Sequence, residues 1–104
     1  MKYTLIVCDN RRQANVISST IEHLLLTRFR YHFYETPIKY DKRKGTFTSE
    51  QGTVIIKSHR ERYYSQTLRD VQDRHHGTVL SVYGVDKKLD DDDFDLVSEF
   101  FKED

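Results

Sequence analysis

Residues 3–25 read "YTLIVCDNRRQANVISSTIEHLL", and the fold turns on the change of period inside them. Residues 3–8 are almost continuously apolar, which suits a strand covered on both faces and therefore central in its sheet. Beyond the Asp9-Asn10 corner, Ala14, Ile17, Ile21, Leu24, Leu25 and Arg28 recur at spacings of three and four, which gathers the apolar ones into one helical stripe. Asn10 is placed to cap that helix, and Gln13 three residues on completes a capping-box pattern.

Working outward, "RYHFYETPIKY" (30–40) alternates like a strand, but Pro37 places it at an edge or ends it in a bend. "GTFTSEQGTVIIKS" (45–58) reads as a hairpin: Thr46 to Ser49, a short turn ending at Gly52, then Thr53 to Lys57. Ser58 and Glu61 form a second capping-box pattern, opening a helix from about Arg60 to Arg74 whose apolar stripe is only Tyr64, Leu68 and Val71. Gly77 ends it, "TVLSVYGV" (78–85) supplies another strand, and a last helix carries Phe94, Val97, Phe100 and Phe101. Alternating strands and helices predict an α/β or α+β domain with a mixed four- to five-stranded sheet and about three helices. A ferredoxin-like sandwich is the alternative reading of the same order.

A chain of 104 residues supports one domain with one core. Its 33% charged and 37% hydrophobic residues, with seven Tyr and six Phe, are the composition of a folding chain, since disordered ones have fewer aromatics and larger net charge. No stretch reaches the ~20 apolar residues that cross a bilayer, and the start lacks a signal-peptide core, so a cytoplasmic protein is expected with no membrane contact. Cys8, the single cysteine, has no partner for a disulfide within the chain and reads as core.

The formal net charge of zero conceals a division. Residues 1–88 hold 16 Lys or Arg against 9 Asp or Glu, a balance of +7, whereas residues 89–104 hold 1 against 8, a balance of −7. The expected organisation is a basic α/β body, 1–88, and an acidic amphipathic helix, 89–104, packed on the body or extending from it. Such blocks mark interaction tails or an electrostatic contact between the two parts.

Candidate chemistry follows the charge. Arg11 and Arg12 occupy a first helical turn, where backbone N–H groups favour anions; Arg60, Arg62 and Arg69, with Tyr63 beside them, are expected on the exposed side of the second helix. Arginine interleaved with aromatics is the composition used for phosphate contact and base stacking, although Glu61, Asp70 and Asp73 can pair with these arginines as an ordinary solvated face. In the tail, Asp90, Asp91, Asp92, Asp93 and Phe94 present acid and aromatic groups to a partner, or compete with nucleic acid for the body.

Catalytic patterns are thin. None of Gly45, Gly52, Gly77 or Gly84 belongs to GxxxxGK[ST] or GxGxxG, which argues against nucleotide hydrolysis by the usual route. No catalytic residue, cofactor or metal is assigned. His59 has no nucleophile at a specific spacing, and His75 and His76 diverge by about 100° on a helix, too far to share a metal easily. Asp9 lies at the carboxyl end of the first strand, where open α/β sheets place ligands, and Asp86 follows the "LSVYGV" strand; together they form the one metal constellation to test.

In order, "TLIVCDNRRQANVISSTIEHLL", "GTFTSEQGTVIIKSHRE" and "TVLSVYGVD" resemble the core of the ATPase domain of viral terminase large subunits and related helicases, over about Tyr3 to Phe101. The resemblance implies the strand and helix that follow the nucleotide loop, then a hairpin, then the strand ending in a metal-binding acid, at Asp86. The nucleotide loop itself is missing, and Lys87 follows Asp86 where the family has its catalytic glutamate, so the resemblance implies a stripped relative without ATPase activity. "TLIVCDN" also resembles the start of a response-regulator receiver, but "TVIIKS" lacks that family's phosphoacceptor Asp.

The expected function is that of a small non-enzymatic, phage-encoded binding or regulatory protein contacting nucleic acid or a protein of nucleic-acid metabolism. Two alternatives stand beside it: a metal-dependent nuclease or phosphotransfer enzyme using Asp9 and Asp86, and a protein inhibitor acting through an acidic surface. Tyr and Phe around residues 29–40, beside an edge strand, are compatible with a homodimer.

Overall fold

The computed structural model of the protein describes residues 2–28, 38–49 and 52–82. Lys2–Cys8 is strand β1, in which Leu5, Ile6, Val7 and Cys8 are all 0% exposed. Both parities are buried because both faces of the sheet are covered. Leu5 and Val7 pack in one cluster with Val71, Ile6 and Cys8 in another with Ala14, Ile17 and Ile21.

Helix α1, Arg11–Arg28, follows directly. Asn10 Oδ1 accepts from the Gln13 N–H at 2.9 Å, and Gln13 Oε1 accepts in return from the Asp9 N–H at 2.7 Å, one residue earlier than an ideal capping box. The side chains of Leu24, Leu25 and Arg28, expected on the α1 stripe, are outside the described set. Strands β2 (Lys39–Asp41), β3 (Thr46–Thr48) and β4 (Gly52–Ser58) run as an antiparallel meander. Helix α2, Tyr64–Arg69, continues as a π-helical stretch over Asp70–Arg74 and leads to β5, Thr78–Val82.

The sheet order is β2-β3-β4-β1-β5, with β1 parallel to both neighbours, in register Lys2 with Gly52 and Thr4 with Thr78. This is the mixed five-stranded α/β sheet that the sequence predicts, with β1 central. Helix α1 covers the face of Ile6, Cys8, Val54 and Ile56, while α2 and its extension cover the face of Leu5 and Val7. A ferredoxin-like sandwich gathers its helices on one face of an antiparallel sheet. That alternative is therefore set aside.

Two local expectations are corrected. The second helix starts at Tyr64, not near Arg60: the Ser58 N–H does donate to Glu61 Oε2 at 2.7 Å, but Ser58 Oγ accepts from Arg60, two residues on, at 3.1 Å. The hydroxyl thus closes a turn instead of capping a helix. The end of that helix is also not glycine's conformational doing, because the left-handed residue is His76 at φ 50° and Gly77 follows it. The thin stripe is as expected, with Val71 buried and Tyr64 and Leu68 packed beside it.

The expected strand at 30–36 and the last helix carrying Phe94 to Phe101 lie outside the described residues. Among the described residues no helix is long and apolar enough to cross a membrane.

Candidate nucleic-acid interface

Adjacent parallel strands β1 and β4 send their following helices to opposite faces of the sheet. Their carboxyl ends therefore flank a topological switch point, the place where open α/β sheets hold ligands. Asp9 leaves β1 there, and Ser58, His59 and Arg60 leave β4.

The His59 N–H donates to the Cys8 carbonyl at 3.1 Å and the Ser58 hydroxyl to the Asp9 carbonyl at 3.3 Å, which ties the two loops together. Asp9 Oδ1 lies 3.3 Å from His59 Nε2 and 3.7 Å from an Arg60 guanidinium nitrogen. These are long, solvent-screened contacts, weaker than charge-assisted hydrogen bonds of ~2.7–2.9 Å. Asp9 is thus more than a corner residue: its carboxylate lies beside the Arg60 guanidinium and the His59 ring that flank the crevice. Nucleophiles nearby are occupied. Ser58 is buried and bonded, and the buried Cys8 thiol is pushed up to about 12 by burial, with the Glu61 carboxylate adding to the shift.

Beside this crevice the β2–β3 turn joins the same edge. Gly45 O accepts from the Ile56 N–H at 2.8 Å, so residues 42–45 stand at the carboxyl half of β4. Asp41 Oδ1 accepts from the Lys44 N–H three residues on at 3.1 Å, closing the turn, and Gly45 takes φ 62° where a Cβ would meet Ile56 O at 2.7 Å. Between this turn and α1 is a cleft of about 30 Å³ bordered by Arg11, Lys42, Arg43 and Lys44, with Asn15 and Ser18 on its α1 wall. The acid among its described lining residues, Glu61, is engaged by the Ser58 N–H. Cations from two elements thus face an occupied carboxylate, an arrangement suited to a polyanion.

Of the residues singled out by sequence, Arg11 and Arg12 lie exposed on the first turn of α1 at this edge, and Arg60 sits at the switch point. Arg62 and Tyr63 are in the loop after β4 instead of on the second helix, both exposed, with the Arg62 guanidinium 5.5 Å from the Tyr63 ring centroid. Arg69 is separate: it ends α2, on the other face of the sheet from α1. Asp86, Asp90 to Asp93 and Phe94 are outside the described residues, and among those described no three His, Cys, Asp or Glu side chains are grouped to hold a metal. His75 stacks on Tyr3 with ring centroids 3.7 Å apart, which gives it a packing role.

Lys42, Arg43 and Lys44 were not legible as part of a site. Their signal is "DKRKG" (41–45), three cations between an aspartate that closes the turn and a left-handed glycine, and only the β3–β4 register brings it to Arg11. The chain matches no family model, no curated protein and no solved structure.

Proposed function

We propose that the protein is a non-enzymatic binding or regulatory protein that contacts nucleic acid through the carboxyl edge of its sheet. The observation that carries this reading is the gathering of Arg11, Lys42 to Lys44 and Arg60 at that edge from three separate segments of the chain. Cations that gather by long-range register cannot all be explained as one solvated helix face. Clustered Lys and Arg release counterions from phosphates, which supplies sequence-independent affinity. The resemblance of the chain to a terminase ATPase core without its nucleotide loop supports the same setting, a phage protein of nucleic-acid metabolism. The acidic segment 89–104 then acts as an internal competitor for the basic edge.

The test is binding of the full chain to labelled DNA and RNA at two salt concentrations, beside a full-length variant carrying D90N, D91N, D92N and D93N. Binding that weakens with salt, and tightens in the variant, is expected. Absence of binding to any nucleic acid at low salt by both folded proteins overturns the reading and directs the search to a basic protein partner.

A further inference from the structure

We propose that the nucleic acid held at this edge is single-stranded, one backbone phosphate seated between α1 and the β2–β3 turn and one base stacked on Tyr63. This inference rests on the function proposed above and deepens it. Among the described residues the cleft is lined by the cations Arg11, Lys42, Arg43 and Lys44 with the polar Asn15 and Ser18, which offer charge and hydrogen bonds to phosphate oxygens but no aromatic face to a nucleobase. Its cations stand on a rigid frame: the Asp41 side chain pins the Lys44 N–H, and Gly45 is held against the Ile56 backbone. A base must therefore find its surface elsewhere.

That surface is Tyr63. It is 58% exposed, a large ring left in water on a chain whose Phe47 is wholly buried. The Arg62 guanidinium over its ring adds a second planar, cationic group to the platform. Glu61, which borders the cleft, is two residues away, so the Tyr63 Cα lies within about 7 Å of the Glu61 Cα. Phosphate seat and aromatic platform thus fall within the reach of a short stretch of strand. A duplex keeps its base faces stacked on one another, and only an unpaired base can offer its face to a tyrosine.

The experiment measures anisotropy of the full chain with three labelled probes of equal length: a mixed-sequence single strand, its duplex, and an abasic strand that keeps phosphates but lacks bases. The wild type is expected to prefer the single strand to both others. Tyr63→Ala is expected to lose roughly five- to a hundredfold on the single strand and nothing on the abasic one, while Tyr63→Phe keeps the affinity. The triple variant K42A/R43A/K44A weakens all three and lowers the salt slope by roughly 0.7 for each phosphate that the variant no longer neutralises. Duplex binding equal to or tighter than single-strand binding, or indifference to Tyr63→Ala, overturns the inference while leaving nucleic-acid contact in place. Absence of binding to every probe overturns both.

Discussion

At Gly77 a Cβ would stand 2.5 Å from the Tyr3 carbonyl oxygen and 2.7 Å from Val71 Cγ1. The first of these atoms belongs to the backbone of the central strand and cannot step aside, so Gly77→Ala is expected to cost ~1–3 kcal/mol in chemical denaturation. His76→Gly, which relieves a left-handed non-glycine residue, is expected to leave stability unchanged or raise it; a loss equal to that of Gly77→Ala would contradict this division of roles. Cys8 gives a pH signature. Burial first, and the Glu61 carboxylate second, raise its thiol from 9.0 to about 12. Folded chains then keep a proton that unfolded chains release, so this group's effect on stability is absent below pH 9 and destabilises the fold progressively as pH rises from 9 toward 12. The denaturant midpoint of the wild type should fall more steeply over that interval than that of Cys8→Ala, and equal slopes would contradict the burial.

Among the elements, α1 depends on its cap. Asn10→Ala removes the acceptor of the Gln13 N–H and is expected to cost ~0.5–2 kcal/mol, read as a lowered melting temperature, with Asn10→Ser largely restoring it. The β1–α1 unit was legible because each of its signals is local: an apolar run, a cap, then a stripe at helical spacing. The start of α2 was not, because the same Ser58-x-x-Glu61 pattern serves a turn once the Ser58 hydroxyl also meets the Asp9 carbonyl from another strand. Arg11, Arg12, Arg60, Arg62 and Tyr63 stand out in the sequence by residue type alone, as cations with an aromatic among them. The placing of Arg11 and Arg60 at one sheet edge was not legible there, nor was the separation of Arg69, since both follow from the side of the sheet each helix takes. The nearness of Lys42 to Lys44 to Arg11 was not legible either, because their place depends on pairing between β3 and β4.

For the whole molecule, a crossover topology does the gathering. Because β1 and β4 are adjacent and parallel while α1 and α2 cover opposite faces, the loops after both strands and the β2–β3 turn meet at one edge. At that edge the Asp9 carboxylate lies 3.3 Å from His59 Nε2 and 3.7 Å from an Arg60 guanidinium nitrogen, linking the loops after β1 and β4. The measurement that tests this most directly is a residue-resolved amide NMR titration of the full chain with a short single-stranded oligonucleotide at low salt. The account predicts shifts concentrated at residues 9–15, 42–45 and 58–63, reversed by added salt. Shifts confined to the outer face of α1 around Val16 and Thr20, or to the opposite edge around His75 and Gly77, would contradict it.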